Sequence, residues 1–552
     1  MTADAIAIHG HVYQPPRADP RTGEVPVEPS AAPFHNWNER ITYECYRPNA
    51  FARIFDHQGR VVRIVNNYEL MSFDLGPTLA HWLEAHAVDV HDRIVAGDRA
   101  AGTAIAHPFH HAILPLCEPI DARTELRWGA ADFRRRFGRE PDGVWLPETA
   151  VDEWVLDLLA DEGFGFTILA PSQVAASVPA GAVGRWSSPQ GKQVDLVVYD
   201  GPISHDMAFG GALHDTRGLV ERLRSGAPNG VVVAATDAET FGHHHRFTER
   251  AIAHALGIEA PTRGIRSGAL GTLLDVAPRV DVPAVWPSAW SCAHGLGRWR
   301  VDCGCSTDGQ PGYHQQWREP LRDALMLLRA HAVDAFARLG AEVFHDPWAA
   351  RDAFGDVLAA PGRWGELIDR HVRPGASADV ARALLDSQEA TLASFTSCAW
   401  FFADLARREV AIVLQEAARS IELLRALGEE PPLDEALTLL ALARSNDREL
   451  PTGREVWVWA TEAPPSATYE PAPVRPLAQL LEALVGKAIA GDSLAQEQAI
   501  ELVDLLLDSD AHRFVERVQE QVYDAIVNSA PADREALHPL GWALGLAVNA
   551  LP

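Results

Sequence analysis

The sequence predicts an α/β fold, an irregular seven-stranded β/α barrel over residues 1–315 followed by a mainly α-helical domain over residues 316–552. Three observations carry this expectation. Seven short apolar runs recur in the first half, and their hydrophobicity is continuous rather than alternating, as a parallel sheet covered on both faces requires. Segments with helical spacing, such as "TLAHWLEAHAVDVHDRIV" and "ETAVDEWVLDLLADEG", lie between several of these runs. From about residue 315 strand signals almost vanish and long Ala/Leu/Arg segments take over. A chain of 552 residues exceeds one ordinary core, and 47% apolar with 22% charged residues is the composition of a folded globular protein.

In chain order the runs are "AIAIH" at 5–9, "VVRIV" at 61–65, "TAIAH" at 103–107, "GVWL" at 143–146, "FTIL" at 166–169, "VDLVVY" at 194–199 and "VVVAAT" at 231–236. Before the sixth run, "PQGK" reads as a hairpin turn, which makes the barrel irregular there. The helical half is represented by "PLRDALMLLRAHAVDAFARLG" and "VAIVLQEAARSIELLRALG". A Pro-rich stretch at 460–476 is expected to run as an extended connection to a last helical pattern beginning near Leu477.

Composition removes several classes of partner. With 75 Asp and Glu against 48 Lys and Arg, the net charge of -27 repels phosphate backbones and anionic lipid, so neither nucleic acid nor membrane is an expected partner. The opening "MTADAIAIHGHVYQPP" has no basic segment followed by an apolar one, and a cytoplasmic location is expected. The six cysteines lack CxxC spacing, so neither a zinc ribbon nor a disulfide framework is indicated and packed thiols are expected.

The chemistry collects where the runs end. In a β/α barrel the site is built from the loops after the strands. The first run leads into His9, His11, Tyr13 and Gln14, the second into Asn66, Asn67 and Glu69, and the third into His107, His110 and His111. Trp145 and Glu148 end the fourth, Ser172 and Gln173 follow the fifth, His205 and Asp206 the sixth, and Asp237, Glu239 and His243 to His245 the seventh. A strand-end Asp or Asn often caps the next helix, and a lone His is ordinarily a satisfied polar group. Seven consecutive strand ends finishing on ionisable or hydrogen-bonding groups instead point to one shared site. Glu148 and Asp237 stand out as a pair of acids whose directions are fixed by the sheet, an arrangement suited to cleavage of a glycosidic bond.

The ordered set "HGHVYQP", "NNYEL", "GVWLPE" and "TDAETFGHH" resembles four conserved regions of glycoside hydrolase family 57 over roughly the first 300 residues. The resemblance implies a seven-stranded β/α barrel and a retaining enzyme acting on α-glucans or maltooligosaccharides by hydrolysis, chain transfer or branching, without cofactor or catalytic metal. It places the nucleophile at Glu148 and the general acid/base at Asp237, with His9, His11 and Glu69 lining the sugar subsite. Gln14, His107, His111, Trp145, Glu239 and His243 complete the expected substrate-binding set at the same strand ends.

Further on, "SFTSCAWFFADL" at 394–405 resembles an uncharacterised helical domain found in one branch of the family. The chain departs from the family pattern in three places. Val12 and Tyr13 intervene before Gln14 in the first motif, and Ala238 stands where Gly is commoner. In place of the usual Trp-His element of the fifth region it has "SAWSCAHGLGRWRVDCGC" at 288–305. Trp290, His294, Arg298 and Trp299 in that stretch are candidates for sugar stacking and hydroxyl recognition. Two other functions stay open. A metal-dependent carbohydrate hydrolase such as a deacetylase could use His9, His11, Asp237 and His243 to His245, and a glucan-binding protein could have kept the fold and lost the chemistry.

Overall fold

The computed structural model describes residues 5–225, 230–462, 475–507 and 512–552. Eleven strands are present among them: β1 (Ala5–Val12), β2 (Ala52–Phe55), β3 (Val61–Val65), β4 (Ser72–Leu75), β5 (Ala104–Ile105), β6 (Gly143–Val144), β7 (Phe166–Leu169), β8 (Val183–Ser187), β9 (Gln193–Val198), β10 (Val231–Asp237) and β11 (Arg279–Asp281). They form three sheets, in the orders β10-β1-β4-β5, β11-β8-β9-β7-β6 and β2-β3. The first sheet is parallel throughout. In the second, only the β8–β9 hairpin is antiparallel, at the turn that "PQGK" announces.

The two larger sheets touch along both flanks through isolated links. On one side Ala106 bridges Val144, and on the other the Asp200 amide donates to the Val233 carbonyl at 2.7 Å. Among the described residues there is therefore a mixed α/β half, but not the single closed sheet of seven strands that the sequence suggests.

One of the seven runs is misplaced by the sequence reading. Residues 61–65 form β3, one arm of an antiparallel ribbon with β2, and Arg63 is exposed on it. The strand beside β1 is instead β4, "SFDL", buried along its whole length. Ser72 and Asp74 interrupt its apolar character, so it fails a test for continuous hydrophobicity. It is stable in the interior because both side chains bond to histidines of β1.

Strand parity sorts the core into two layers, because successive side chains point to opposite faces. Ile6, Ile8 and Val12 of β1, Phe73 and Leu75 of β4, and Val232 and Ala234 of β10 join the cluster beneath the surrounding helices. Ala5 and Ala7 of β1, Ile105 of β5, and Val231, Val233 and Ala235 of β10 join a second cluster between the two sheets, together with Trp145, Phe166, Ile168 and Val197. Continuing that second face toward the strand ends gives His9 and His11, then Asp74, His107 and Asp237. The periodicity that buries the alanines and valines thus delivers the titratable groups to the same interior.

Helices dominate from Arg318 onward, beginning with the 26-residue helix Arg318–Val343. Two cores hold the segment up to residue 460. One gathers Trp299, Trp317, Leu321, Trp400 and Leu414, and the other gathers Phe336, Phe354 and Leu384 around Trp128, which comes from the α/β half. Helices Arg475–Ile489, Ser493–Leu507 and His512–Asn528 build a third core of their own, which takes in Val61 of β3. The expected single helical domain over 316–552 thus contains separate packing units. The expected Pro-rich connection lies largely outside the described residues. Among those that are described, no helix is long and apolar enough to cross a membrane.

Candidate active site

Asp74 organises the floor of the interior. Its two oxygens accept from His9 Nε2 at 3.1 Å and His11 Nδ1 at 2.9 Å, while His9 Nδ1 meets Ser72 Oγ at 3.0 Å. A carboxylate only accepts, so each imidazole carries its proton on the nitrogen facing Asp74. Burial works against the Asp74 charge, yet the adjacent His11 and His9 hold the carboxyl well below the usual range. Burial lowers His9, whereas for His11 the attraction of Asp74 outweighs burial and raises it.

Around this floor the rings stack. Trp145 lies 4.9 Å from His9 and 5.1 Å from His11 between ring centroids, and Tyr13 lies 3.9 Å from His111. His11 Nε2 contacts His111 Nε2 at 3.1 Å. Burial pushes His107 down to about 4 and His111 well below its ordinary value, so both are neutral near pH 7. His11, His107 and His111 each offer a ring nitrogen within 4.8 Å of the others, a set that could also hold a metal ion.

Glu148 sits on the turn after β6 with φ 58°, a left-handed conformation that a non-glycine residue adopts at a cost of order 1–3 kcal/mol. The surroundings enforce it. The Trp290 amide donates to the Glu148 carbonyl at 3.0 Å, and buried Gln173 bonds the Thr149 hydroxyl at 2.9 Å and carbonyl at 2.7 Å. On the carboxyl, Trp290 Nε1 at 3.0 Å and Ser291 Oγ at 2.5 Å both donate to Oε2. Oε1 is left as the oxygen directed elsewhere. Burial raises the Glu148 carboxyl and Asp237 adds to that rise, against the hydrogen bond from Ser291.

Asp237 ends β10 in register with His11. Its carboxyl is open to solvent at the mouth yet closely surrounded by protein. The crowding raises it, helped by Glu239 and Asp74 and opposed by His11 and His244. Burial also pushes Tyr199 up to about 12, with Asp237 contributing. Behind Asp237, Glu239 accepts from Gln14, whose amide oxygen takes Arg17 Nη2 at 2.9 Å. His243 pairs with Glu44, and His244 approaches Glu239 at 3.6 Å.

The helical half reaches the rim of this site. Ser397 donates its amide to the His111 carbonyl at 3.1 Å, and its hydroxyl meets His111 Nδ1 at 2.6 Å.

The structure thus brings together His9, His11, Gln14, His107, His111, Trp145, Glu148, Asp237, Glu239 and Trp290, with His243 behind them. Glu69, Arg298 and Trp299 lie elsewhere. Glu69 is exposed on the short helix Asn67–Leu70, at the start of β4 rather than its end; the acid that meets both imidazoles is Asp74. Trp299 is fully buried in the helical core and donates to the Ser397 carbonyl at 3.2 Å, so its face is packed by protein and offers no platform for a sugar. Arg298 is also buried, 4.3 Å over the Phe401 ring, and reaches Glu148 through its charge. Asp74, Ser291 and Tyr199 were missed by the sequence reading. "SFDLGP" carried the only usable sign of Asp74, an acid in an otherwise strand-like stretch.

Asp74→Asn is expected to cost about 3 kcal/mol, the scale for breaking a buried ion pair. A carboxyl held below its ordinary range stabilises the fold above its unfolded pKa and loses that contribution as pH falls through its folded value. Denaturant unfolding should therefore show the full gap from wild type at pH 7 and a narrowing gap only below about pH 4.

Residues 38–263 match the family described as glycosyl hydrolase family 57, and residues 313–466 match a domain of unknown function, DUF3536. No curated protein matches the chain in sequence. Among solved structures, an exo-type maltose-forming amylase from Pyrococcus sp. ST04 superposes with a TM-score of 0.60 at 13% identity, over 98% of this chain and 95% of its own. A GH57-type branching enzyme from Pyrococcus horikoshii superposes with a TM-score of 0.50 at 12% identity, over 85% of this chain and 98% of its own. At such identities the likeness shows a shared fold alone. The match to glycosyl hydrolase family 57 thus falls within the α/β half, and the match to DUF3536 within the helical half.

Proposed function

We propose that this protein cleaves or rearranges α-glucans with retention of configuration, through a covalent glycosyl-enzyme formed on Glu148. The observation that carries this reading is the Glu148 carboxyl itself, held on a left-handed turn with both donors on Oε2, which leaves Oε1 for attack, and near enough to Asp237 for the two charges to interact. In the first half-reaction Oε1 attacks the anomeric carbon while Asp237, its pKa raised, protonates the departing oxygen. Asp237 then takes a proton from the incoming water or sugar hydroxyl. Trp290, half-buried beside Glu148, supplies aromatic surface for a pyranose, with fully buried Trp145 packed edge-on against it, and His11 and Gln14 supply hydroxyl partners. The maltose-forming amylase and the branching enzyme that share the fold support the substrate class, and an acidic chain accommodates a neutral polymer.

A second reading is favoured by one observation, the three imidazoles of His11, His107 and His111 drawn within reach of a single ion. Under it the protein is a metal-dependent carbohydrate hydrolase. Product analysis separates the two. Purified wild type, Glu148→Gln and His107→Ala are incubated with maltooligosaccharides, amylose and an acetylated oligosaccharide. The two-carboxylate reading expects new chain lengths from wild type and none from Glu148→Gln. Release of acetate by wild type and Glu148→Gln alike, with none from His107→Ala, would establish the metal reading in its place. An outcome of longer and branched products as well as shorter ones would assign glycosyl transfer over hydrolysis.

A further inference from the structure

We propose that Cys292, His294, Cys303 and Cys305 form a structural zinc site at the junction between the α/β half and the helical half. The sequence gives no hint of it, because the spacings are Cys-x-His and Cys-x-Cys rather than those of a zinc ribbon. Folding nevertheless brings three sulfurs and one imidazole together, with one ligand atom from each residue within 4.8 Å of all the others. Tetrahedral zinc at about 2.3 Å from sulfur and 2.0 Å from nitrogen sets its ligand atoms roughly 3.5–3.8 Å apart. His294 Nδ1 already lies 3.4 Å from Cys305 Sγ. A closed set of three thiolates and one histidine is the composition of a structural rather than a catalytic site.

Three further observations fit a metal and do not follow from ordinary packing. Each two-ligand turn is followed or spanned by a glycine in the left-handed region, Gly295 at φ 70° and Gly304 at φ 82°, which lets the backbone fold tightly around a small centre. A Cβ on Gly297 would lie 3.1 Å from Cys303 Cβ and 3.3 Å from His294 Cβ, so that position admits little beyond hydrogen without spreading the ligands. The sulfurs also receive outer donors, the Arg298 amide to Cys292 Sγ at 3.3 Å and Arg318 Nη1 to Cys303 Sγ at 3.7 Å. Outer donors of this kind orient ligands and offset their charge. Three thiolates around a dication carry one net negative charge, and the fully buried guanidinium of Arg318 is the cation placed to balance it.

The location gives the site a purpose. Cys292 directly follows Trp290 and Ser291, the two donors to Glu148 Oε2, and Arg318 opens the 26-residue helix and also bonds the Cys305 carbonyl at 2.7 Å. A metal here would fasten the loop that positions Glu148 to the start of the helical half. On binding, three thiol protons are released and four ligand bonds form; no oxidation or reduction is involved.

The test is metal analysis of the full-length protein purified without chelator. We expect one zinc per chain, released stoichiometrically when a mercurial reagent titrates the thiols in the presence of a metallochromic dye. Cobalt(II) substitution should give thiolate-to-metal charge-transfer absorption, which an all-histidine site at His11, His107 and His111 cannot produce. Cys305→Ser should lose the metal, Cys305→His should retain it, and His107→Ala should leave it in place. Zinc-free protein from zinc-supplemented growth, zinc that survives complete thiol titration, or a cobalt form without thiolate absorption would each overturn the proposal. None of these readouts depends on glucan activity, so the proposal and the assignment of Glu148 can fail independently.

Discussion

Glu148→Gln is expected to lose about 10⁴-fold or more of turnover on α-glucans while keeping its fold, the scale seen when the attacking group of a covalent mechanism is removed. The change is nearly isosteric. Trp290 Nε1 and Ser291 Oγ both donate to one oxygen of Glu148, and the amide oxygen of glutamine can take that position. Its nitrogen then occupies the place of Oε1 and has no lone pair available to attack carbon. Unfolding midpoints close to wild type, measured beside the rate, separate this loss from misfolding. Glu148→Ala opens space at the same point. Added azide should restore part of its activity and yield a glycosyl azide of inverted configuration. Recovery with retained configuration would mean that another group had formed the intermediate, and unimpaired Glu148→Gln would end the assignment.

Asp237→Asn should lose about 10²- to 10⁴-fold on glucans, the usual contribution of a positioned acid and base. On an aryl glucoside with a good leaving group the first half-reaction should be nearly normal, since that oxygen departs without a proton. The pH profile supplies an independent check. Glu148 must be ionised and Asp237 protonated, so the wild-type rate falls as pH drops through the pKa of Glu148 and as pH rises through that of Asp237. Burial raises both groups, which moves the active window upward from the ordinary carboxylate range. Asp237→Asn should lose the alkaline limb and keep the acid one.

Much of the site was legible because strand periodicity is a local property. The continuous apolar runs at 5–9 and 231–236 fix which side chains of β1 and β10 face inward, and from that alternation His9, His11 and Asp237 follow. What was hidden depends on partners remote in sequence. Asp74 is tolerable in a buried strand only because two imidazoles from β1 meet it, and no window around "SFDL" shows them. Trp299 looked like a sugar platform until the helices around Trp317 and Trp400 closed over it. Glu69 follows β3, which is one arm of the β2–β3 ribbon rather than a strand of the parallel sheet. The division into separate sheets was equally beyond local reading, because only isolated links at Ala106 and Asp200 join their flanks.

The seat of the last helices on β3 has a consequence for how the chain reaches its native state. Val61 donates to the Gly545 carbonyl at 2.9 Å and accepts from the Ala547 amide at 2.9 Å, so the outer edge of the β2–β3 ribbon is completed by residues at the far end of the sequence. During synthesis from N- to C-terminus that edge must wait, its backbone groups unpaired, until residues 545 to 547 have left the ribosome. Such distant pairing slows folding and leaves an open strand available to neighbouring chains in the interval. Arg63, exposed on β3, places positive charge beside that edge, where it discourages pairing between nascent copies until the proper partner arrives.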